Sequence, residues 1–173
     1  MDLEGTKLIA ADRATVWARL NDPAMLMAAI PGCTALTGSA ADGFAATVVQ
    51  KVGPVNATFR GLVQLTDVNA PESYRIVGEG KGGVAGFARG SADVRLTEVA
   101  GGTELTWKVE AHVGGKLAQL GNRIIGGFAR KMADEFFERF SSGVGGDSGG
   151  RSGGGVGGGV GGRVDGEVGG GAP

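Results

Sequence analysis

One histidine, one cysteine and one tyrosine stand in a chain of 173 residues, and each limits the chemistry available. A structural zinc site takes four ligands and a catalytic one about three, so His112 and Cys33 would need carboxylates from elsewhere. His112 alternates with Glu110 and Lys108 on one side of a strand-like segment, which places it in water as a surface histidine and not as a general base. Cys33 follows the helix-stopping pair Pro31-Gly32 with no base beside it, the pattern of a half-buried thiol. Gly80-Lys81-Gly82-Gly83 has the glycine and lysine of a phosphate-binding loop without its full spacing or its Ser/Thr, and reads as a hairpin turn. Apolar residues are more telling. Met25, Met27, Val84, Phe87, Leu117, Leu120, Ile124 and Phe128 are core by default, yet Met and Phe gathered at a cavity mouth suit a deformable pocket for a greasy ligand.

The elements that would position these residues follow from periodicity. Residues 3–10 read as a strand. Asp12 caps a helix with Val16, Trp17 and Leu20 on its apolar face, and Asp22-Pro23 starts a second short helix carrying Met25, Leu26, Met27 and Ile30. From Thr34 to Val113 the pattern alternates. Val55, Ala57, Phe59, Gly61, Val63 and Leu65 share one face, and Leu105, Trp107, Val109, Ala111 and Val113 oppose Thr106, Lys108, Glu110 and His112. Turns at Asp42-Gly43, Gly82-Gly83 and Gly101-Gly102 divide segments that include 84–98 and 103–113. Such a pattern is an antiparallel sheet with one wet and one buried face. Residues 116–140 then read as one amphipathic helix of about 37 Å, with Leu117, Leu120, Ile124, Phe128, Met132, Phe136 and Phe140 along its apolar stripe. Gly121, Gly126 and Gly127 interrupt it and imply a bend or a close approach. The fold class is α+β: a helix grip, in which a curved antiparallel sheet wraps a long C-terminal helix, two short helices follow the first strand, and an apolar cavity is left inside.

Composition bounds the function. The formal net charge is −1, and the residues before the glycine-rich end balance 15 basic against 15 acidic groups. No basic stripe serves a nucleic acid. One cysteine makes no internal disulfide, and Asp2, Glu4 and Lys7 interrupt the apolar core a signal peptide needs. The expectation is a soluble cytoplasmic protein with a folded domain at 1–142 and a disordered tail at 143–173, where 17 of the 36 glycines fall.

Val16-Trp17 with Asp22-Pro23, Ile30-Pro31-Gly32-Cys33, Val52-Gly53-Pro54-Val55, the glycine-rich run from Gly82 to Gly90, and Gly114-Gly115-Lys116-Leu117-Ala118-Gln119-Leu120-Gly121 occur in that order between about residue 2 and residue 140. Together they resemble the carbon monoxide dehydrogenase G-subunit family. The resemblance implies a START-like fold of the SRPBCC superfamily. It also implies a non-catalytic accessory role beside the aerobic molybdenum CO dehydrogenase, linking that enzyme to the membrane where electrons enter the quinone pool. Some relatives carry a C-terminal membrane segment, whereas this chain ends in glycine-rich sequence without an apolar run of spanning length.

That departure makes a carrier attractive: a domain with no covalent cofactor and no metal that takes menaquinone or a similar quinone into its cavity and presents it to CO dehydrogenase. The expected pocket wall is Phe59, Trp107, Val109, Leu117, Leu120, Ile124 and Phe128, with the helix glycines leaving room for the ligand. The expected gate is Met25, Leu26, Met27, Ile30, Val84 and Phe87, touching the inner face of the cell membrane transiently. Two alternatives stand beside it. One is a recruitment adaptor with no ligand, against which near-zero charge speaks because adhesion to anionic lipid favours polybasic patches. The other is a cyclase-type enzyme on the same fold, which would place carboxylate, Tyr or His groups inside the pocket.

Overall fold

Alternating apolar and polar residues make strands of much of the chain, and hydrogen bonding joins them into one sheet. The computed structural model describes residues 1–154, with side chains through Val144. β1 (Asp2–Ile9) leads into α1 (Arg13–Leu20) and α2 (Pro23–Ala29). Then come β2 (Cys33–Ser39), β3 (Gly43–Val52), β4 (Val55–Asn69), β5 (Ser73–Lys81), β6 (Phe87–Val99) and β7 (Gly102–Gly114). α3 (Lys116–Gln119) and α4 (Asn122–Gly154) complete the described chain. The seven strands lie in the order β1-β7-β6-β5-β4-β3-β2, and every neighbouring pair is antiparallel. The sheet is curved and grips α4, so the α+β helix-grip architecture is the one the sequence implies.

Local chemistry sets the element ends. Asp12 accepts the Thr15 amide at 3.3 Å to cap α1, and hydrogen bonds from Thr15, its hydroxyl first, hold this carboxyl below its ordinary pKa. Asp22 accepts the Ala24 amide at 3.0 Å, with Pro23 opening α2. Thr103, fully buried at the start of β7, donates to the Ala11 carbonyl at 2.7 Å and ties that strand to the β1–α1 connection.

Two apolar clusters fill the grip at its ends. The larger gathers Ile9, Val16, Leu20, Tyr74, Leu96, Leu105, Phe140 and Val144 beneath α1 and the later turns of α4. The smaller holds Val52, Leu117 and Ile125, with Phe59, Leu120 and Phe128 packed against them. A space remains between the two along α4.

The structure departs from the sequence reading in three places. The helix expected over 116–140 is two helices, because Gly121 takes φ +87°, a left-handed conformation that ends α3 before α4 begins. The strand expected from residue 84 starts at Phe87, since Gly83–Ala85 form a 3₁₀ turn. α4 runs to Gly154, so the boundary expected at residue 142 falls inside a helix, and Val144 is only 2% exposed. Residues 155–173 of the expected coil lie outside the described residues.

Gly126 and Gly127 have helical neighbours and open space where a Cβ would stand. Replacing Gly127 by Ala should therefore raise stability by about 0.5–1 kcal/mol, read from the urea midpoint. Phe140→Ala, at a side chain with no exposed surface, should lower it by about 3–5 kcal/mol in the same measurement.

Candidate functional site

Small residues occupy part of the concave face of the sheet beside the site. Inward positions of neighbouring strands fall into cross-strand rows. One row runs Ala46, Gly61, Gly80, Ala88, and the next runs Phe44, Val63, Gly78, Gly90, Ala111. Where these rows hold glycine and alanine, the middle of the grip has no side chain long enough to meet α4. Beside this stretch lies an apolar cavity of about 550 Å³, within the range of about 300–1,000 Å³ common for ligand pockets. A second hollow of about 420 Å³ adjoins it over Gly61, Gly78, Gly80 and Gly90, and the two share Ile30, Ala46, Val63, Ile76, Ala92 and Val109.

Each element contributes one side of the cavity. Leu20 of α1, with Leu26 of α2 and Ile30-Pro31 after it, closes one edge, and Leu36, Phe44, Val63, Leu65 and Ile76 rise from the sheet. Phe128, Ala129, Met132, Ala133, Phe136 and Phe137 face it from α4. Trp107 and Phe137 stack with centroids 6.1 Å apart, and Phe136 stacks on Phe140 at 5.8 Å, so the aromatic wall is anchored in the larger core cluster. Among the described residues no charged side chain lines the cavity; its side-chain polar groups are the Tyr74 hydroxyl and the Trp107 indole N–H. Burial pushes the Tyr74 phenol well above its ordinary pKa, so it stays protonated.

The structure brings Trp107, Val109 and Phe128 of the expected wall together around this space. Phe59 faces the adjoining hollow. Leu117 and Leu120 lie in the smaller cluster with Val52 and Ile125, and Ile124 is 44% exposed. The cause is the break at Gly121: α4 turns Ile125 inward in place of Ile124, and the cavity lies against later turns of the helix. Gly126 and Gly127 do not line the cavity. Of the expected gate, Leu26 and Ile30 border the cavity. Met25 packs against the larger core cluster, and Met27 is exposed. Val84, 81% exposed on the 3₁₀ turn, and Phe87, whose ring covers Gly114, sit away from the cavity.

Tyr74, Met132, Ala133, Phe136 and Phe137 are wall residues absent from the expected set. The inward glycines at 61, 78, 80 and 90 were a signal for where the space would open. His112 is exposed, and Cys33 is half-buried with its thiol donating to the Ala35 carbonyl at 3.4 Å. Among the described residues no group of three or more His, Cys, Asp or Glu could hold a metal ion, and no helix is long and apolar enough to cross a membrane.

The model of the carbon monoxide dehydrogenase G-subunit (CoxG) family matches residues 5–145. The chain belongs to this family. CoxG proteins are accessory subunits associated with CO dehydrogenase. Among solved structures, a conserved protein from Geobacillus kaustophilus is similar at 28% identity and a TM-score of 0.78, over 83% of this chain and 95% of that one. A protein from Mycobacterium smegmatis aligns at 18% identity with a TM-score of 0.60, over 82% and 88% of the two chains. Ara h 8.0201 aligns at 14% identity and a TM-score of 0.59, over 83% and 97%. The last two share the fold alone. No curated protein matches the chain.

In this CoxG family member the Trp107 ring lies over Gly5, its cross-strand partner. A Cβ at Gly5 would stand 2.6 Å from the indole Cζ2. Gly5→Ala should therefore displace the ring toward the cavity, changing the near-ultraviolet circular dichroism while the far-ultraviolet spectrum stays as in the parent.

Proposed function

We propose that this CoxG family member holds a lipophilic quinone of the menaquinone type in its cavity and carries it between the membrane and CO dehydrogenase. The observation that carries this reading is the cavity of about 550 Å³ without a charged side chain among the described residues of its wall. Each CH₂ moved from water into such a wall gains about 0.8 kcal/mol, so a quinone with an isoprenoid tail is held against water. The same tail is equally at home among lipid chains. Exchange between bilayer and cavity is then nearly balanced, and a carrier that must both load and unload needs that balance.

The wall also speaks for carriage over catalysis. Its described residues include no carboxylate, histidine or lysine, and its single phenol keeps its proton. Such a wall solvates a ligand and offers no base to abstract a proton from it. Leu26 and Ile30, on and just after the short helix α2, would form the movable edge through which the tail passes.

Native mass spectrometry with lipid extraction, on protein from a menaquinone-producing host, should find one quinone per chain. Ala133→Trp, which fills the cavity from α4, should lose that quinone, while Ile124→Trp at an exposed position off the wall should keep it. A parent protein that stays empty after incubation with quinone-loaded vesicles would transfer the assignment to a recruitment adaptor.

A further inference from the structure

Tyr74 is 6% exposed and sits at an inward position of β5, where it lines the cavity. Its ring meets the edge of Trp17 with centroids 5.2 Å apart. The hydroxyl has no hydrogen-bond partner among the described residues, an unusual state for a buried phenol. Yet it is not among the sealed polar atoms left without partners, which among the described residues are Arg13 Nε and Ser141 Oγ. Tyr74 lines the cavity from an inward position of β5, so its unpartnered hydroxyl is a donor the wall offers to a ligand there. We infer that the Tyr74 hydroxyl is the recognition donor of the cavity: it hydrogen-bonds a carbonyl oxygen of the bound molecule and selects a ligand with a carbonyl-bearing head over a plain hydrocarbon of the same shape.

The inference rests on the carrier reading and names what the cavity reads on its ligand. The phenol suits the task because burial keeps it protonated, and a protonated phenol donates. Trp107 is the alternative donor. It lies in the same cross-strand row, Tyr74 to Val94 to Trp107, two strands and so roughly 10 Å away between backbones. Its indole leans further off, over Gly5 on the next strand. With these two donors so far apart, one carbonyl of the polar head meets only one of them, and Tyr74 is the more deeply buried, Trp107 being half-buried.

Removing the hydroxyl breaks no bond among the described residues, so Tyr74→Phe should unfold at the same urea concentration as the parent. The binding test uses the full chain freed of lipid, with 2-methyl-1,4-naphthoquinone and 2-methylnaphthalene as probes, read by isothermal calorimetry. The parent should prefer the quinone. Tyr74→Phe should weaken the quinone about tenfold and leave the hydrocarbon unchanged, while Trp107→Phe, which removes part of the wall, should change the binding of both probes by the same factor. The infrared carbonyl band of the bound quinone should lie at lower frequency in the parent than in Tyr74→Phe, because donation to an oxygen weakens the C=O bond. If both probes bind alike to the parent and to Tyr74→Phe, the donor role is overturned and the apolar carrier stands. If neither probe binds the parent, the carrier reading falls and the donor role with it. A lowered urea midpoint for Tyr74→Phe would show that the hydroxyl serves the fold, which also overturns the inference.

Discussion

A sheet that curves around a helix must fill the volume beneath it with side chains from both sides, and in this protein the sheet side falls short. Ala46, Gly61, Gly80 and Ala88 cross four strands in one row without a single γ-carbon. α4 is packed on both sides of this stretch, through Ile125 in the smaller cluster and Phe140 and Val144 in the larger. Interiors otherwise approach crystal density, so a void persists only where such rigid surroundings forbid collapse. The hollow over Gly61 and Gly80, which adjoins the apolar cavity and shares Ala46 and Val63 with it, follows from that shortfall.

The same constraint explains where rigidity and compliance lie. Trp107, Phe137, Phe136 and Phe140 form a chain of ring contacts, stacked at each end and edge-on between Phe136 and Phe137, that ties α4 to the sheet on one side of the void. On another side the wall is Leu26, Ile30 and Pro31, carried by a helix of seven residues and the turn after it. In the proposed carrier the fixed wall and the movable edge are thus built from different elements.

The fold was legible in the sequence because alternation is a strong signal: Leu105, Trp107, Val109, Ala111 and Val113 announce a strand without help from any neighbour. The proline-free run from Lys116 to Phe140 hid the break, since Leu117, Leu120, Ile124 and Phe128 keep helical spacing straight across Gly121. A φ of +87° at that glycine is a tertiary decision that spacing does not record. The error then propagated, placing the pocket nearer Leu120 and Ile124 than Met132 and Phe136. Tyr74 escaped because a single aromatic at the start of β5 looks like ordinary core, and only the missing partner of its hydroxyl sets it apart.

The pairing of β1 with β7 has a consequence for how the molecule is made. Leu3 finds Val109 and Ile9 finds Thr103, so the first of these strands to leave the ribosome has no sheet neighbour until the last has been synthesised. The hairpins from β2 through β7 can zip sequentially, each closing a short loop. β1 must wait for a long loop to close, and α4 emerges later still. The concave face therefore spends most of its biosynthesis uncovered, and a nascent chain stalled before Lys116 presents to the cell the greasy surface that the finished protein encloses.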